Sequence, residues 1–442
     1  MSFHSALART SLEVVGPLEE FQRRIPAEWV EQALASTGTA TFRRRRLPAE
    51  QVIWLVIGIG LFRDRSIEQV VESLDIALPS PQGPVAKSAI PAARARVGEA
   101  PLEWLFERTA AAWSSTSAGQ HRWRGLALYG IDGTSLRTTD TEANRQEFGG
   151  WMAGKGDSSN PLLRLVVLIV LRSHLLAAAR FGSYAQTTEL GLAEQLLAEL
   201  PSHSLMVVDA LYVSRPFLAA IEAVSGRHWL TKAKSNTRMR VLERYADGDE
   251  RVEMTTSDEA RAKDPSLAPT WTARAIHYRR PGFAPRTLLT SLLDPATYPA
   301  QEIRNVYHER WEVELAYDEL KTEMLDARVA LRSKSPAAVR QEVWGVLLGF
   351  NLVRLEIERV AEQADVAPCR ISFVAALMLV RDTWFWSASS RSPGALPKQL
   401  HNARQRLKRF VLPPRRSHRR YPREIKNDYR RYPRRKTNPL TK

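Results

Sequence analysis

Cysteine is almost absent. The 442-residue chain holds one, Cys369. A single cysteine excludes an internal disulfide and any zinc cluster built on thiolates, and it suits a reducing compartment. No long hydrophobic run is present either. The longest, residues 52–62, 162–171 and 343–353, fall short of the roughly 20 apolar residues that a membrane-spanning helix needs. Residues 1–15 lack a basic stretch followed by a long apolar one, so no secretory leader is expected. A cytoplasmic protein without a membrane role follows. None of the nine histidines forms a convincing metal pair. His228, His277 and His308 read as packing or surface residues. No internal repeat is evident.

Acid is scarce in one place only. Lys and Arg total 64 and Asp and Glu 48, and residues 391–442 contain 18 of the bases but only two of the acids, Glu424 and Asp428. The first 390 residues therefore balance, and the net charge of +16 belongs to the end of the chain. Such an arm attracts a polyanion, nucleic acid before others. From residue 413 it has no periodic apolar pattern, so it is expected to stay disordered until it binds.

The rest has the ordinary composition of a globular protein, 44% hydrophobic and 25% charged, and enough length for two or three cores. Residues 48–62 open on a proline and are apolar almost all round, which predicts a buried helix. Residues 66–74 begin with Ser66 and carry Gln69 three positions on, the spacing of a capping box. Further helices are expected at 88–97 and 101–113. The pair 66–74 and 88–97 reads equally as a helix-turn-helix-like reader of DNA or as plain scaffold, and the Pro-rich link 79–84 between them weakens the first reading. Continuous apolar runs at 126–131, 162–171, 175–181, 204–208 and 228–233 predict strands covered on both faces. Helices are expected at 188–200 and 215–224. Strand-like pieces at 251–255, 270–278 and 286–293 lie among polar stretches and read as a mostly β insertion. Helices at 337–361 and 371–384 follow, with Trp384 and Trp386 read as core.

The chemistry concentrates in residues 307–321. Tyr307, Arg310, Glu314 and Lys321 fall at steps of 3, 4 and 7, which on a continuous helix puts all four on one face. Glu312 and Glu319 are rival carboxylates whose spacing from Glu314 turns them elsewhere. Upstream, Asp132 and Asp209 each close an apolar strand-like run. Asp132 taken alone is a turn residue of an Asp-Gly pair. Together, Asp132, Asp209 and Glu314 offer three hard oxygen ligands. Such a set suits Mg²⁺ or Mn²⁺, and two such ions serve an in-line displacement at phosphorus.

With these residues in place, the chain resembles a DDE transposase of the insertion-sequence-four family, whose catalytic domain is ribonuclease-H-like. The resemblance runs from about residue 40 to 361. The family signature, Tyr, two residues, Arg, three residues, Glu, six residues, Lys, is met in full. Asp132-Gly133-Thr134 fits the first acid. The second departs from the usual Asp-Arg-Gly-Tyr or Asp-Arg-Gly-Phe, for here it reads Asp209-Ala210-Leu211-Tyr212. The acid and the aromatic are kept, and one expected DNA contact is lost.

The resemblance implies an α/β fold: a ribonuclease-H-like mixed sheet with a mostly β insertion, a helical N-terminal domain before it, and C-terminal helices and a basic arm after it. The expected divisions are a helical domain at 1–118 with a DNA-end-binding role, the first part of the catalytic domain at 119–235, the insertion at 236–300, the completing segment with Glu314 at 301–335, C-terminal helices with a dimerisation role at 336–412, and the arm at 413–442. It implies a bacterial, nucleoid-associated enzyme that transposes an insertion sequence by cut and paste. Asp132, Asp209 and Glu314 would bind two Mg²⁺ or Mn²⁺ ions, and Tyr307, Arg310 and Lys321 would grip DNA phosphates. The partners would be double-stranded DNA, namely the inverted-repeat ends and the target, with a homodimer bridging two ends. Better-known relatives pass through a DNA hairpin, and some stack a flipped base on a tryptophan of the insertion, for which Trp229 and Trp271 are the choices here. Two rivals stand beside this reading: another ribonuclease-H-like nuclease such as a resolvase, and a catalytically inactive regulator that binds DNA ends.

Overall fold

The computed structural model describes residues 24–40, 47–73, 85–150, 152–153, 156–279, 284–326, 330–389 and 396–413, with side chains left aside at 152–153, 156–157, 385–389 and 396–397. The link 79–84, the side chain of Trp386 and the basic arm from 414 onward lie outside this description.

Five helices come first: α1 Ala27–Ser36, α2 Ala49–Leu61, α3 Ile67–Ser73, α4 Ala89–Val97 and α5 Ala100–Gln120. Strand β1 Ala127–Arg137, helix α6 Glu142–Phe148 and the small ladder of β2 Met152–Ala153 with β3 Gly156–Asp157 follow. Next are β4 Leu162–Val170, β5 Leu176–Ser183, α7 Glu189–Leu196, β6 Ser204–Val207, α8 Arg215–Glu222 and β7 Arg227–Lys232. Four more strands surround a short helix: β8 Arg240–Ala246, β9 Asp249–Thr255, α9 Asp258–Lys263, β10 Thr270–Tyr278 and β11 Arg286–Thr290. The chain continues through α10 Ala300–His308, α11 Trp311–Asp318, a π-helical turn Glu319–Met324, α12 Pro336–Ala364, α13 Phe373–Ser389 and α14 Leu396–Leu407.

These elements form two compact units. The first joins Met1–Trp113, Arg137–Glu147 and Asp318–Pro413 and is helical. Its α2 is buried without a break from Val52 to Leu61, as the all-round apolar sequence requires. Trp384 is fully buried and meets Trp54 and Phe62 edge-on at 5.9 and 6.1 Å, so it is core. The capping box forms in both directions: the Ser66 N–H donates to Gln69 Oε1 at 2.8 Å and the Gln69 N–H to Ser66 Oγ at 3.2 Å. Arg94, on the second of the two helices weighed as a DNA reader, is turned inward. It donates to Gln341 Oε1 at 3.0 Å and to the Ala338 carbonyl at 2.9 Å.

The second unit, Ser114–Leu136 with Phe148–Tyr317, holds a nine-stranded mixed sheet in the order β5-β4-β1-β6-β7-β11-β10-β9-β8. The centre is parallel: β1 pairs with β6, and β6 with β7. Register aligns Tyr129 with Met206 and Met206 with Trp229. That row lies in a core it shares with Leu192 and Leu196 of α7 and with Phe217 and Ile221 of α8. The expected strands and helices of 126–233 are all present near their expected ends, except that β1 runs on to Arg137, so Asp132 lies within the strand and does not close it. The strands read as an insertion do not form a sheet of their own. β11 pairs antiparallel with β7, so β8 to β11 prolong the central sheet. β8 was not foreseen.

Candidate active site

Two acids are levelled by strand register. The β1–β6 ladder pairs Gly130 with Val207, and Asp132 and Asp209 each stand two residues further on. Parallel strands keep their offset, so the two acids sit at one level of the sheet edge. They differ in surroundings. Asp209 is exposed, and its Oδ1 accepts the Ala210 N–H at 2.5 Å. Asp132 is half-buried, and its Oδ1 accepts the Gly133 N–H at 2.9 Å. Burial raises the Asp132 carboxyl from 3.8 to about 6, and the negative charges of Glu189 and Asp209 add to the rise, against the Gly133 hydrogen bond and the Arg310 charge.

The signature residues are not on one α-helix. α10 ends at His308, and the chain passes to α11 through a tighter turn. There the Glu309 N–H bonds the Val306 carbonyl at 2.9 Å, the Arg310 N–H that of Tyr307 at 3.2 Å, and the Val313 N–H that of Arg310 at 3.1 Å. At three residues per turn, positions three apart stand directly above one another, so Tyr307 and Arg310 keep a common face. The α-helical step of four then carries Arg310 Nη2 to Glu314 Oε1 at 2.8 Å. Lys321 is different. It lies on the π-helical turn, whose pitch breaks the helical net assumed for it, and it belongs to the first unit. The structure brings Tyr307, Arg310 and Glu314 together.

Helix α11 is seated tightly on β1. A Cβ at Gly130 would stand 2.4 Å from Val313 Cγ2 and 2.7 Å from Leu171 Cδ2, so only glycine lets the helix approach this closely. The Tyr317 hydroxyl donates to the Asp132 carbonyl at 2.5 Å. Neighbouring acids are engaged elsewhere: Arg172 holds Glu309 through two bonds of 2.8 Å, and His174 Nε2 meets Glu312 Oε2 at 2.9 Å. Glu319 contacts Arg354. The rival carboxylates thus have partners of their own.

Charge ties the helix side to the strand side. Burial alone would lower the Arg310 guanidinium, but the Glu314 hydrogen bond and the nearby Tyr307 and Asp209 outweigh it and raise it. Burial pushes the Tyr307 phenol up to about 12, moderated by Arg310 and reinforced by Asp209. The donor set of Asp132, Asp209 and Glu314 consists of hard oxygens, which fits Mg²⁺ or Mn²⁺ in kind. The arrangement is open: among the described residues no three of these carboxylates close to within 4.8 Å of one another.

Sequence reading missed Glu189 and Tyr212. Glu189 opens α7, and its Oε1 accepts the Tyr212 hydroxyl at 2.7 Å. Acids are common at helix starts, so nothing in the local sequence set Glu189 apart. Tyr212 was visible as the aromatic kept after Asp209, but its use was not. Trp229 is fully buried, and its Nε1–H donates to Glu222 Oε1 at 2.9 Å, so it has no free face for a base. Trp271 is half-buried, with the Arg215 guanidinium 4.9 Å over its ring.

Comparison with known proteins agrees with the signature. Residues 15–107 match the family model of the insertion element 4 transposase N-terminal region, and residues 124–352 that of the transposase DDE domain. The transposase InsG for insertion sequence element IS4 of Escherichia coli (strain K12) is 35% identical over 412 residues, covering 93% of this chain and 92% of that one. InsZ of the same organism is 36% identical over 227 residues, covering 50% of this chain and 74% of the other. A piggyBac transposase synaptic complex with hairpin DNA, solved by cryo-EM, resembles 91% of this chain and 86% of its own at a TM-score of 0.45 and 13% identity. With both family models matched in chain order and InsG matched over almost its whole length, the chain belongs to the IS4 family of DDE transposases.

Proposed function

We propose that the chain cuts an insertion element from DNA and joins it to a new site, using one metal-dependent centre for each phosphoryl transfer. The observation that supports this most is the register of Asp132 and Asp209 on neighbouring parallel strands, faced by Glu314 with Arg310 and Tyr307 beside it. Asp132, Asp209 and Glu314 would hold two Mg²⁺ or Mn²⁺ ions. When bound, such ions supply Lewis-acid activation of the attacking oxygen and of the scissile phosphate.

The chain's own groups bind and orient. The Arg310 guanidinium presents a planar fork to two phosphate oxygens. The Tyr307 phenol, kept protonated by burial, donates rather than repels. Lys321 would hold a more distant phosphate. Tyr317 holds β1 at Asp132 through that residue's carbonyl and so helps to set where the carboxylate starts. In the first reaction a water oxygen bonds to phosphorus and the 3′-oxygen of the element's end leaves as a hydroxyl. In the second that hydroxyl attacks a target phosphorus and displaces the target's own 3′-oxygen.

A homodimer would bridge two inverted-repeat ends, with residues 336–412 supplying contacts between copies. The basic arm would add phosphate contacts without base reading. The test is a cleavage and joining assay with Mg²⁺, on DNA carrying the element's inverted repeats and a separate target. Nicking at the ends followed by joining supports the proposal. Cutting without joining would favour a resolvase-like nuclease, and binding without cutting an inactive regulator. Asp132→Asn, Asp209→Asn and Glu314→Gln are each expected to bind ends and not cut. Full cleavage by any of them removes that residue from the centre.

A further inference from the structure

We propose that Glu189 is a fourth carboxylate of this centre, positioned there by Tyr212. The inference rests on the reading of Asp132 as a metal ligand and adds a residue to the same site.

Neighbouring strand residues point to opposite faces. Gly130 and Asp132 share the face on which α11 sits, as the Gly130 contact with Val313 shows. Position 133 points to the other face, where α7 packs its Leu192 and Leu196 into a core with Tyr129 and Ile131. A side chain at 133 would stand between Glu189 and the strand end. Glycine removes it, and the Glu189 carboxylate fills the space. A Cβ at Gly133 would be 2.4 Å from Glu189 Cδ and 2.6 Å from Oε2. On its other side Gly133 gives its N–H to Asp132 Oδ1. The two carboxylates therefore flank one residue.

Glu189 is held in this place from two directions. Thr188 caps α7, its Oγ1 accepting the Gly191 N–H at 3.1 Å, which fixes the helix start. The Tyr212 hydroxyl then binds Glu189 Oε1 at 2.7 Å from a fully buried ring. Tyr212 ends the 3₁₀ turn Ala210–Tyr212 that follows Asp209, so the same short motif sets an acid at its first residue and anchors another from its last. That gives a reason for the aromatic to persist where the Arg-Gly pair does not. The Oε2 atom, packed against Gly133 and near enough for the Glu189 charge to act on Asp132, is left as a further oxygen for an ion bound there. Among the described residues the three acids do not close to within 4.8 Å of one another, and Glu189 would be a fourth donor to that open set.

A merely structural acceptor for Tyr212 makes a different forecast, and Glu189→Gln separates the two. Glutamine keeps an oxygen for the Tyr212 hydroxyl and loses the charge. The measurement is Mn²⁺ titration of the full chain without DNA, followed by electron paramagnetic resonance, with thermal melting in a chelator alongside. In Glu189→Gln, Mn²⁺ affinity should fall by about tenfold or more, the range seen when groups supporting a metal site are removed. Its metal-free melting should not drop. Wild-type affinity in Glu189→Gln, with affinity lost in Asp132→Asn, would overturn the inference and leave the reading of the centre intact. Wild-type affinity in both variants would overturn the centre and the inference with it. Tyr212→Phe gives a second readout if Glu189→Gln does not fold: it keeps the charge and removes the anchor. A smaller fall in Mn²⁺ affinity supports the positioning role, and none would overturn it.

Discussion

Arg310 and Glu314 share a hydrogen bond of 2.8 Å across one helical turn, with side chains 19% and 35% exposed. On the proposed reading each has a further duty, to phosphate or to metal, that competes with the contact. Partly exposed ion pairs contribute little to stability, so Arg310→Lys should change unfolding free energy by less than about 1 kcal/mol. Its effect on cleavage should be larger. An ammonium cannot hold two phosphate oxygens in a plane, and the loss of one charge-assisted bond is worth about tenfold in rate or more. Single-turnover cleavage beside a thermal melt checks both halves. Equal effects on rate and stability would contradict the assignment.

Asp132 carries a pH signature. Its folded value, about 6, exceeds the ordinary 3.8 because burial and nearby acids disfavour its charge. The sign follows from linkage: the neutral carboxyl fits the fold, so its contribution is complete below 3.8 and is lost as pH rises through about 6. Asp132→Asn removes that loss. Without divalent metal, the variant should melt above wild type at pH 8 and level with it at pH 3.5. A difference that does not vary with pH would refute this.

Gly130 is where α11 meets β1. Alanine there would drive a methyl into Val313 and Leu171. The cost should be about 1–3 kcal/mol of stability, as for other overpacked cores. The helix must shift to relieve the clash, and Glu314 travels with it. Cleavage should therefore fall further than the melt alone explains, at a temperature where the variant is still folded.

Glu356 of α12 tests the first unit. It is buried among Arg24 and Arg404, and Arg404 Nη2 reaches its Oε2 at 3.0 Å. Burial pushes this carboxyl up, but the Arg404 hydrogen bond and the guanidinium charges of Arg24, Arg404 and Arg359 outweigh it and leave it below the ordinary 4.5. A lowered value contributes stability that is present above 4.5 and lost as pH falls through the folded value. Glu356→Gln should cost about 3 kcal/mol at pH 7, as breaking a buried ion pair does, and the deficit should shrink in acid.

The arm makes a forecast from charge alone. Removing residues 414–442 should weaken binding to any DNA and reduce the slope of log affinity against log salt. An unchanged slope would show that the arm does not touch phosphates.

Much of the fold could be read from the sequence because burial writes itself as long apolar runs. β4 and β6 are buried along nearly their whole length, and both were expected where they lie. β8 was not, and its burial explains why: six of its seven residues are exposed, with Val241 and Leu242 among them. It is an edge strand held by pairs such as Arg240 with Glu253 and Arg244 with Glu250, which leave no alternation to read. The signature segment showed the reverse error. Its spacing was legible, but a periodic pattern does not reveal a tight turn at Glu309 or a π-helical turn at Lys321. Glu189 was hidden for a third reason. Its significance comes from Gly133 and Tyr212, which are distant in sequence and adjacent only after β1 and α7 have packed.

The strand order has a consequence for the chain as it leaves the ribosome. Asp132 lies on β1, Asp209 follows β6, and Glu314 arrives on α11 only after five further strands have been made. A product cut short before Arg310 carries two of these acids at most, without the guanidinium and the third carboxylate. On the proposed reading the centre is thereby completed last, and premature stop codons or abandoned translation would yield fragments without it.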